Sequence, residues 1–426
     1  MLTIRRTPFT RVILLLLALG VRPASAQSGP VDSLLFTTPV QIDPEQKGEV
    51  RLEVDNLTFV RDNEYKGKLV KGYTLPGIWI EPSISFQPLK NLKVEAGFHL
   101  LHYWGADRYP SLNYTDIATW KGNQTQKGFH CVPTFRAHMQ LSPQVDVVLG
   151  TLYGRQNHRL SDPLYNDEHA LSSDPEAGLQ VLWHTRPFSL DAWINWESFI
   201  FRNDSHQESF TFGLSTRFRP SRRRARVQTY VPLQVLFQHR GGEINAEASD
   251  RAIKTWLNAA AGVGVDIPLR TRIPVRLNAE ANLALYRQQA GNALPFDSGW
   301  GVQAKATAQV WRFSVSAGYW HCHDFISIFG NPLYGTFGVD DRQTTYTDPT
   351  TLTFTAEYAQ PLGKGFAWGI RSSAFATLPA DVLTLVPNSG QNSGQTLARP
   401  ERSSTAVSLG VGIFLRIRPS FLLKKL

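Results

Sequence analysis

Four consecutive residues, His321-Cys322-His323-Asp324, bring together side chains that bind metals and move protons. Their spacing restrains that chemistry. In an extended strand His321 and His323 share one face while Cys322 and Asp324 take the other, so the four do not close around one zinc ion. Without further ligands the group reads as ordinary rim residues. Asp204-Ser205-His206 has the residue types of a hydrolase triad, but adjacent positions rarely converge as nucleophile, base and orienter. Asp162, Asp167 and Glu168 are acids of the kind that hold calcium, yet their spacing follows no calcium loop and solvation explains them. The chain contains no Gly-x-Ser-x-Gly elbow, phosphate-binding glycine loop or Cys-x-x-Cys pair. The sequence therefore assigns no catalytic residue, metal or cofactor, and the chain is expected not to be an enzyme.

The elements that would position these residues are short and alternating. Over 404–419, Thr405, Val407, Leu409, Val411, Ile413, Leu415 and Ile417 fall on one side. Ala406, Ser408, Gly410, Gly412, Phe414, Arg416 and Arg418 fall on the other. Side chains of a strand alternate between faces, so one face is apolar and the other small or polar. The same rhythm predicts about sixteen strands, near 49–61, 73–89, 92–105, 128–142, 145–154, 178–186, 188–200, 208–220, 226–240, 255–269, 272–288, 299–312, 313–326, 352–363, 365–378 and 404–419. Most reach the roughly 9–11 residues that a tilted strand needs to cross a bilayer. In the first strand the apolar phase moves from Val50, Leu52 and Val54 to Leu57 and Phe59, which predicts a bulge.

The ends of the chain set its surroundings. Arg5, Arg6 and Arg11 flank the apolar run Val12 to Val21, and Ala24-Ser25-Ala26 is a small-residue cleavage signature, so residues 1–26 read as a secretory signal. Their removal takes four arginines and no acid, lowering the formal charge from +9 to +5. That modest basicity is spread over turns and strand faces, which excludes a nucleic-acid protein. Residues 27–48, with Pro30, Pro39 and Pro44, read as a periplasmic extension too short for a plug domain. Residues 49–419 form the barrel, and 420–426 a basic tail. Cys131 and Cys322 fall in strands far apart around a closed barrel and are expected to be unpaired thiols.

Short connections follow the even strands and long ones follow most odd strands, at 62–72, 106–127, 155–177, 241–254, 327–351 and 379–403. That asymmetry marks short periplasmic turns and long external loops. Outward aromatic residues fall at both strand ends, where amphipathic rings suit lipid headgroups. Phe86, Phe188, Phe218, Phe313 and Phe366 would form a periplasmic girdle, and Trp104, Phe129, Phe210, Trp256 and Trp300 an outer one. About sixteen strands exceed an ordinary sandwich and match a closed antiparallel barrel wide enough to hold water. On these features the chain resembles a Gram-negative porin-type outer-membrane β-barrel over nearly all of 49–419. It departs from the usual terminal aromatic by running past Ile417 through Phe421 to Lys424-Lys425-Leu426.

The resemblance implies passive diffusion of small polar solutes through a monomeric or trimeric pore. Lys93, Arg136, Arg186, Arg217, Arg219, Arg276, Lys305, Arg312, Arg371 and Arg416 point inward by the alternation, with Glu280 and Glu357 among the opposing acids. Arginines in excess would favour anions; arginines paired across strands would merely tile a polar interior. Tyr109, Tyr114 and Trp120 in one external loop, and Tyr334, Asp340 and Asp341 in another, are types that stack on and hydrogen-bond saccharides. A plugged barrel displaying its loops to a glycan or host partner is the alternative, and a barrel-wall hydrolase using His206 or the His321/His323 pair is the third reading. Expected partners are outer-membrane lipids, lipopolysaccharide, the barrel-assembly machinery and the solutes, with no nucleic acid.

Overall fold

The computed structural model describes residues 29–105, 130–199, 207–222, 225–242, 253–269, 271–339, 343–387 and 396–426. Each alternating segment becomes a strand, because only a closed ladder satisfies every backbone N–H and C=O where lipid offers no partner. The wall consists of β1 (Glu49–Glu64), β2 (Tyr73–Leu89), β3 (Leu92–Tyr103), β4 (His130–Ser142), β5 (Val145–Thr151), β6 (Ala177–His184), β7 (Phe188–Ser198) and β8 (Ser209–Phe218). It continues through β9 (Gln228–Arg240), β10 (Lys254–Leu269), β11 (Val275–Ala290), β12 (Ser298–Val310) and β13 (Phe313–His323). After β14 (Thr344–Thr347) come β15 (Thr350–Gly363), β16 (Phe366–Thr377), β17 (Asp381–Pro387), β18 (Thr396–Arg402), β19 (Ala406–Ile417) and β20 (Ser420–Lys425).

Neighbours pair antiparallel, and β1 closes the sheet by pairing with both β2 and β19. The result is a closed barrel of sixteen strand positions, as the alternation predicted. β14, β17 and β18 form a separate three-stranded sheet. It stands at the external end, where β17 and β18 prolong the β16–β19 hairpin.

Expectations for the tail, for β1 and for Trp256 are corrected. The residues expected to be a basic tail instead form β20, which pairs with Glu49–Glu53 and finishes the seam below β19. Leu426 N–H donates to the Gly48 carbonyl at 2.7 Å. The bulge expected in β1 is absent from its ladder with β2, which runs unbroken from Val50↔Phe86 to Asn63↔Tyr73. Leu57 and Phe59 are apolar because they face inward onto a packed interior, not because the strand slips. Trp256, expected in the outer girdle, is also buried inward, and Nε1 donates to Gln288 Oε1 at 3.3 Å.

The interior is filled from two directions. Residues 29–47, expected to extend into the periplasm, enter the lumen instead. Val31 and Leu35 are fully buried, and Phe36 packs edge-on against Phe414 at 5.0 Å. From the external side, residues 152–176, 324–339 and 343–349 fold down. Tyr334, Phe337 and Tyr346 join Trp320, Cys322 and Phe325 in one apolar cluster. Burying these rings explains why so many inward positions carry apolar side chains, since a water-filled lumen would not reward them.

Outside, the greasy set faces away from the molecule. Val407, Leu409, Val411 and Ile413 on β19 are exposed, as are Phe218, Phe313 and Phe366 at the periplasmic girdle. An apolar band bounded by aromatic rings is what a bilayer requires, and the chain is an outer-membrane-type β-barrel.

Candidate functional site at the external rim

β13 rises from the periplasmic turn to the external edge, and its odd-numbered residues face outward. Tyr319 and His323 are exposed on that face, while Trp320 and Cys322 are buried inside. The parity expected for His321, Cys322 and His323 therefore holds. Asp324 escapes it: its φ of +48° turns the backbone left-handed directly after the strand. Its Oδ2 comes back to 3.5 Å from His323 Nε2. Asp tolerates this conformation better than most residues.

A second carboxylate arrives from the other side. Asp348, also left-handed at φ +47°, precedes β15. Its Oδ1 accepts from His323 Nδ1 at 2.5 Å. His321 Nδ1 lies 3.0 Å from Thr350 Oγ1. Trp300 sits across the ladder from His323, their rings 6.2 Å apart and inclined 30°. His323 and Asp348 are 48% and 49% exposed, so solvent reaches them.

With Nδ1 committed to Asp348, the other ring nitrogen of His323, Nε2, faces solvent and Asp324, whose 3.5 Å is too long for a good hydrogen bond. A histidine oriented by a carboxylate is the arrangement of a general base. Directly below, Tyr319, Leu352 and Phe354 are exposed on the lipid-facing wall. The dyad thus stands at the external end of an exposed apolar track on the outer wall.

The inward residues named from the sequence lie elsewhere and are mostly paired. Lys93 bonds Glu53 at 3.0 Å and Glu95 at 2.8 Å, and Arg136 bonds Glu95 at 2.8 Å. Arg276 lies 3.3 Å from Asp266, Lys305 2.6 Å from Asp162, and Arg416 2.5 Å from Asp55. Arg371 collects Glu357 and Asp32, each at 2.6 Å, and Asp167. Arg312 donates to Gln360. Glu280 accepts from Tyr230 at 2.7 Å and lies 3.8 Å from Arg217. Arg219 is half-buried below Arg217. Arg186 is exposed in the turn after β6 and does not face the lumen. Tyr334 is buried, its carbonyl accepting from Trp320 Nε1 at 2.9 Å, so it is not on display for a saccharide. Tyr109, Tyr114, Trp120, Asp340, Asp341 and the 204–206 group lie outside the described residues.

The acids Asp162, Asp167 and Glu168, expected to be solvated, hold the folded-in loop to wall cations. Glu168 bonds Asn63 at 2.5 Å and lies 3.4 Å from Arg61. His158, on the same loop, is clamped between Asp191 and Glu176 at 2.8 Å each and stacks flat on Trp193 at 3.5 Å. The sequence shows no sign of that clamp, whose residues His158, Glu176 and Asp191 the fold brings together from separate elements. Nor did it reveal Asp348 as the partner of His323. The available signal was apolar side chains at inward parity, such as Trp79 and Trp193, which betray a filled lumen. Among the described residues no group of three or more His, Cys, Asp or Glu side chains is arranged to hold a metal ion, and both cysteines are free.

Comparison with known proteins places the chain in a family. Residues 42–426 match the profile of the family described as Lipid A 3'-O-deacylase-type, and the chain belongs to that family. This membership overturns the expectation that the chain is not an enzyme: the missing motifs excluded only hydrolases that announce themselves by local sequence. A comparison with curated proteins finds no match. Among solved structures the chain is similar to OccAB4 of Acinetobacter baumannii, at 11% identity and a TM-score of 0.46, over 89% of this chain and 100% of that one. It is also similar to the outer membrane protein OpdK of Pseudomonas aeruginosa, at 12% identity and a TM-score of 0.45, over 88% and 100%.

Proposed function

We propose that the protein hydrolyses an acyl ester of a lipid A-type glycolipid in the outer leaflet, with His323 as general base and Asp348 as its orienter. The observation that carries this reading is an exposed histidine–carboxylate dyad on the lipid-facing wall, above an apolar track. His323 Nε2 takes a proton from water, the hydroxide attacks the ester carbonyl, and the C–O bond to the sugar breaks. The imidazolium returns the proton to the leaving sugar oxygen, releasing a fatty acid. Asp348 keeps the ring in the tautomer that presents Nε2 and stabilises its charged form. Tyr319, Leu352 and Phe354 receive the acyl chain, and Trp300 covers the sugar side.

The test is mass spectrometry of lipid A after incubation with the protein reconstituted in detergent. Loss of one acyl chain and release of free fatty acid support the reading. Intact lipid A, or full activity in a His323→Ala variant that still assembles as a heat-modifiable barrel, contradicts it.

Diffusion of small polar solutes is the second reading, favoured by polar-lined cavities of about 500, 480 and 170 Å³ within the lumen. Steady conductance in planar bilayers supports it; a silent bilayer sinks it. The apolar cluster in the external half argues for a small conductance at most.

A further inference from the structure

The two larger cavities open near the periplasmic end and differ in charge. One, of about 480 Å³, is lined by Asp43, Glu53, Asp55, Glu81 and Glu95 together with cations that pair most of them. The other, of about 500 Å³, is lined by Arg159, Arg217, Arg418 and His184, and its one carboxylate is Asp191. That carboxylate is already engaged by His158 and by Gln180 Nε2, both at 2.8 Å.

The arginines of this second cavity are short of partners. Arg217 is buried, and its Nη1 and Nη2 make no hydrogen bond. It stacks over Tyr230 at 4.2 Å, and Glu280 stays 3.8 Å away. The Arg159 guanidinium has no hydrogen-bond or ion-pair partner among the described residues; its neighbours are Arg219 and the committed Asp191. Arg418 is better supplied: it donates to the Leu34 and Thr37 carbonyls at 2.7 and 3.0 Å, and its Nε lies 3.9 Å from Asp55, a carboxylate that Arg416 already holds. Several partly dehydrated guanidinium groups around one cavity with no free counter-charge are costly as they stand. An oxyanion accepts their fork of N–H donors bidentately, and the Ser189 and Ser215 hydroxyls line the same cavity.

We infer that this cavity is a binding site for a small organic oxyanion, sugar-sized and carrying a phosphate or a carboxylate, taken from the periplasmic side. A volume of about 500 Å³ suits a ligand of that size. The site lies at the opposite end of the barrel from the rim dyad and does not depend on the hydrolase reading.

Titration of the full-length protein in detergent with glucose 6-phosphate, glucuronate and glucose tests the inference. These probes share a ring and differ in charge and in the type of oxyanion. Saturable binding of either anion, at least ten times tighter than glucose, is expected, and which anion binds tighter identifies the preferred group. Arg159→Gln and Arg217→Gln should each weaken it about tenfold or more. Ser189→Asp adds a negative charge without removing any arginine contact and should weaken it comparably, which guards against misfolding of the arginine variants. No saturable binding of either anion, equal binding of glucose, or unchanged affinity in correctly assembled Arg159→Gln and Ser189→Asp proteins overturns the inference.

Discussion

His158 and His323 each face two carboxylates, at 2.8 and 2.8 Å for the first and 2.5 and 3.5 Å for the second. His158 is 1% exposed and has both ring nitrogens in hydrogen bonds. Burial alone would lower its pKa, but Glu176 and Asp191 outweigh that and push it up to about 10. The ring is therefore charged near neutrality and has no lone pair to offer. His323 stands half in solvent with one nitrogen committed and the other open. The same residue types make a structural clamp where water is excluded and a proton-transfer group where it is admitted.

Substitution should separate these roles. The largest effect is expected at the rim: His323→Ala lowers the rate of acyl release by roughly 10²–10⁴-fold, the usual yield of a positioned general base. Heat modifiability on gels should be unchanged. His158→Ala should act in the opposite sense, leaving Glu176 and Asp191 buried without their cation at a cost of about 3–5 kcal/mol. It should open residues 152–176 to protease while sparing the chemistry at the rim. Equal loss of activity in both variants, with both folded, would erase the distinction.

The clamp also has a pH window. His158 is raised, so its contribution is complete below the unfolded value of 6.5 and is lost as pH rises through about 10. Burial raises the Glu176 carboxyl, but His158 overcomes this and holds it down to about 2, so its contribution is complete above 4.5 and fades as pH falls toward 2. Hydrogen-exchange protection in 152–176, corrected for the intrinsic pH dependence of amide exchange, should be greatest between about pH 4.5 and 6.5 and should fall toward pH 10. Protection that is flat across that range contradicts the charged clamp. The smallest effect is expected at Trp300→Ala. Loss of ring stacking worth about 0.5–1.5 kcal/mol should raise KM several-fold with little change in kcat; a large fall in kcat would instead place Trp300 in the chemistry.

The wall of this barrel was legible because lipid and lumen impose opposite demands on neighbouring residues, as Leu409 and Gly410 show on β19. What fills the wall was not. Leu57 and Phe59 carried the information as apolar residues at inward positions, but a bulge explains the same letters when the interior is taken to be water. Asp32 gives no hint that it reaches Arg371, more than three hundred residues away, because the pairing depends on a luminal segment whose path is set by packing. The rim site was half visible. His321 and His323 stood out, and their shared face followed from strand geometry. Asp324 and Asp348 join them only through left-handed turns, which alternation cannot express.

The central claim is tested most directly by a double-mutant cycle on acyl release from lipid A in reconstituted vesicles, using His323→Ala, Asp348→Asn and the pair together. If Asp348 acts through His323, the double variant should be no slower than His323→Ala alone, as groups that work as one unit require. Wild-type rates in His323→Ala, or losses that multiply in the double variant, would contradict the dyad.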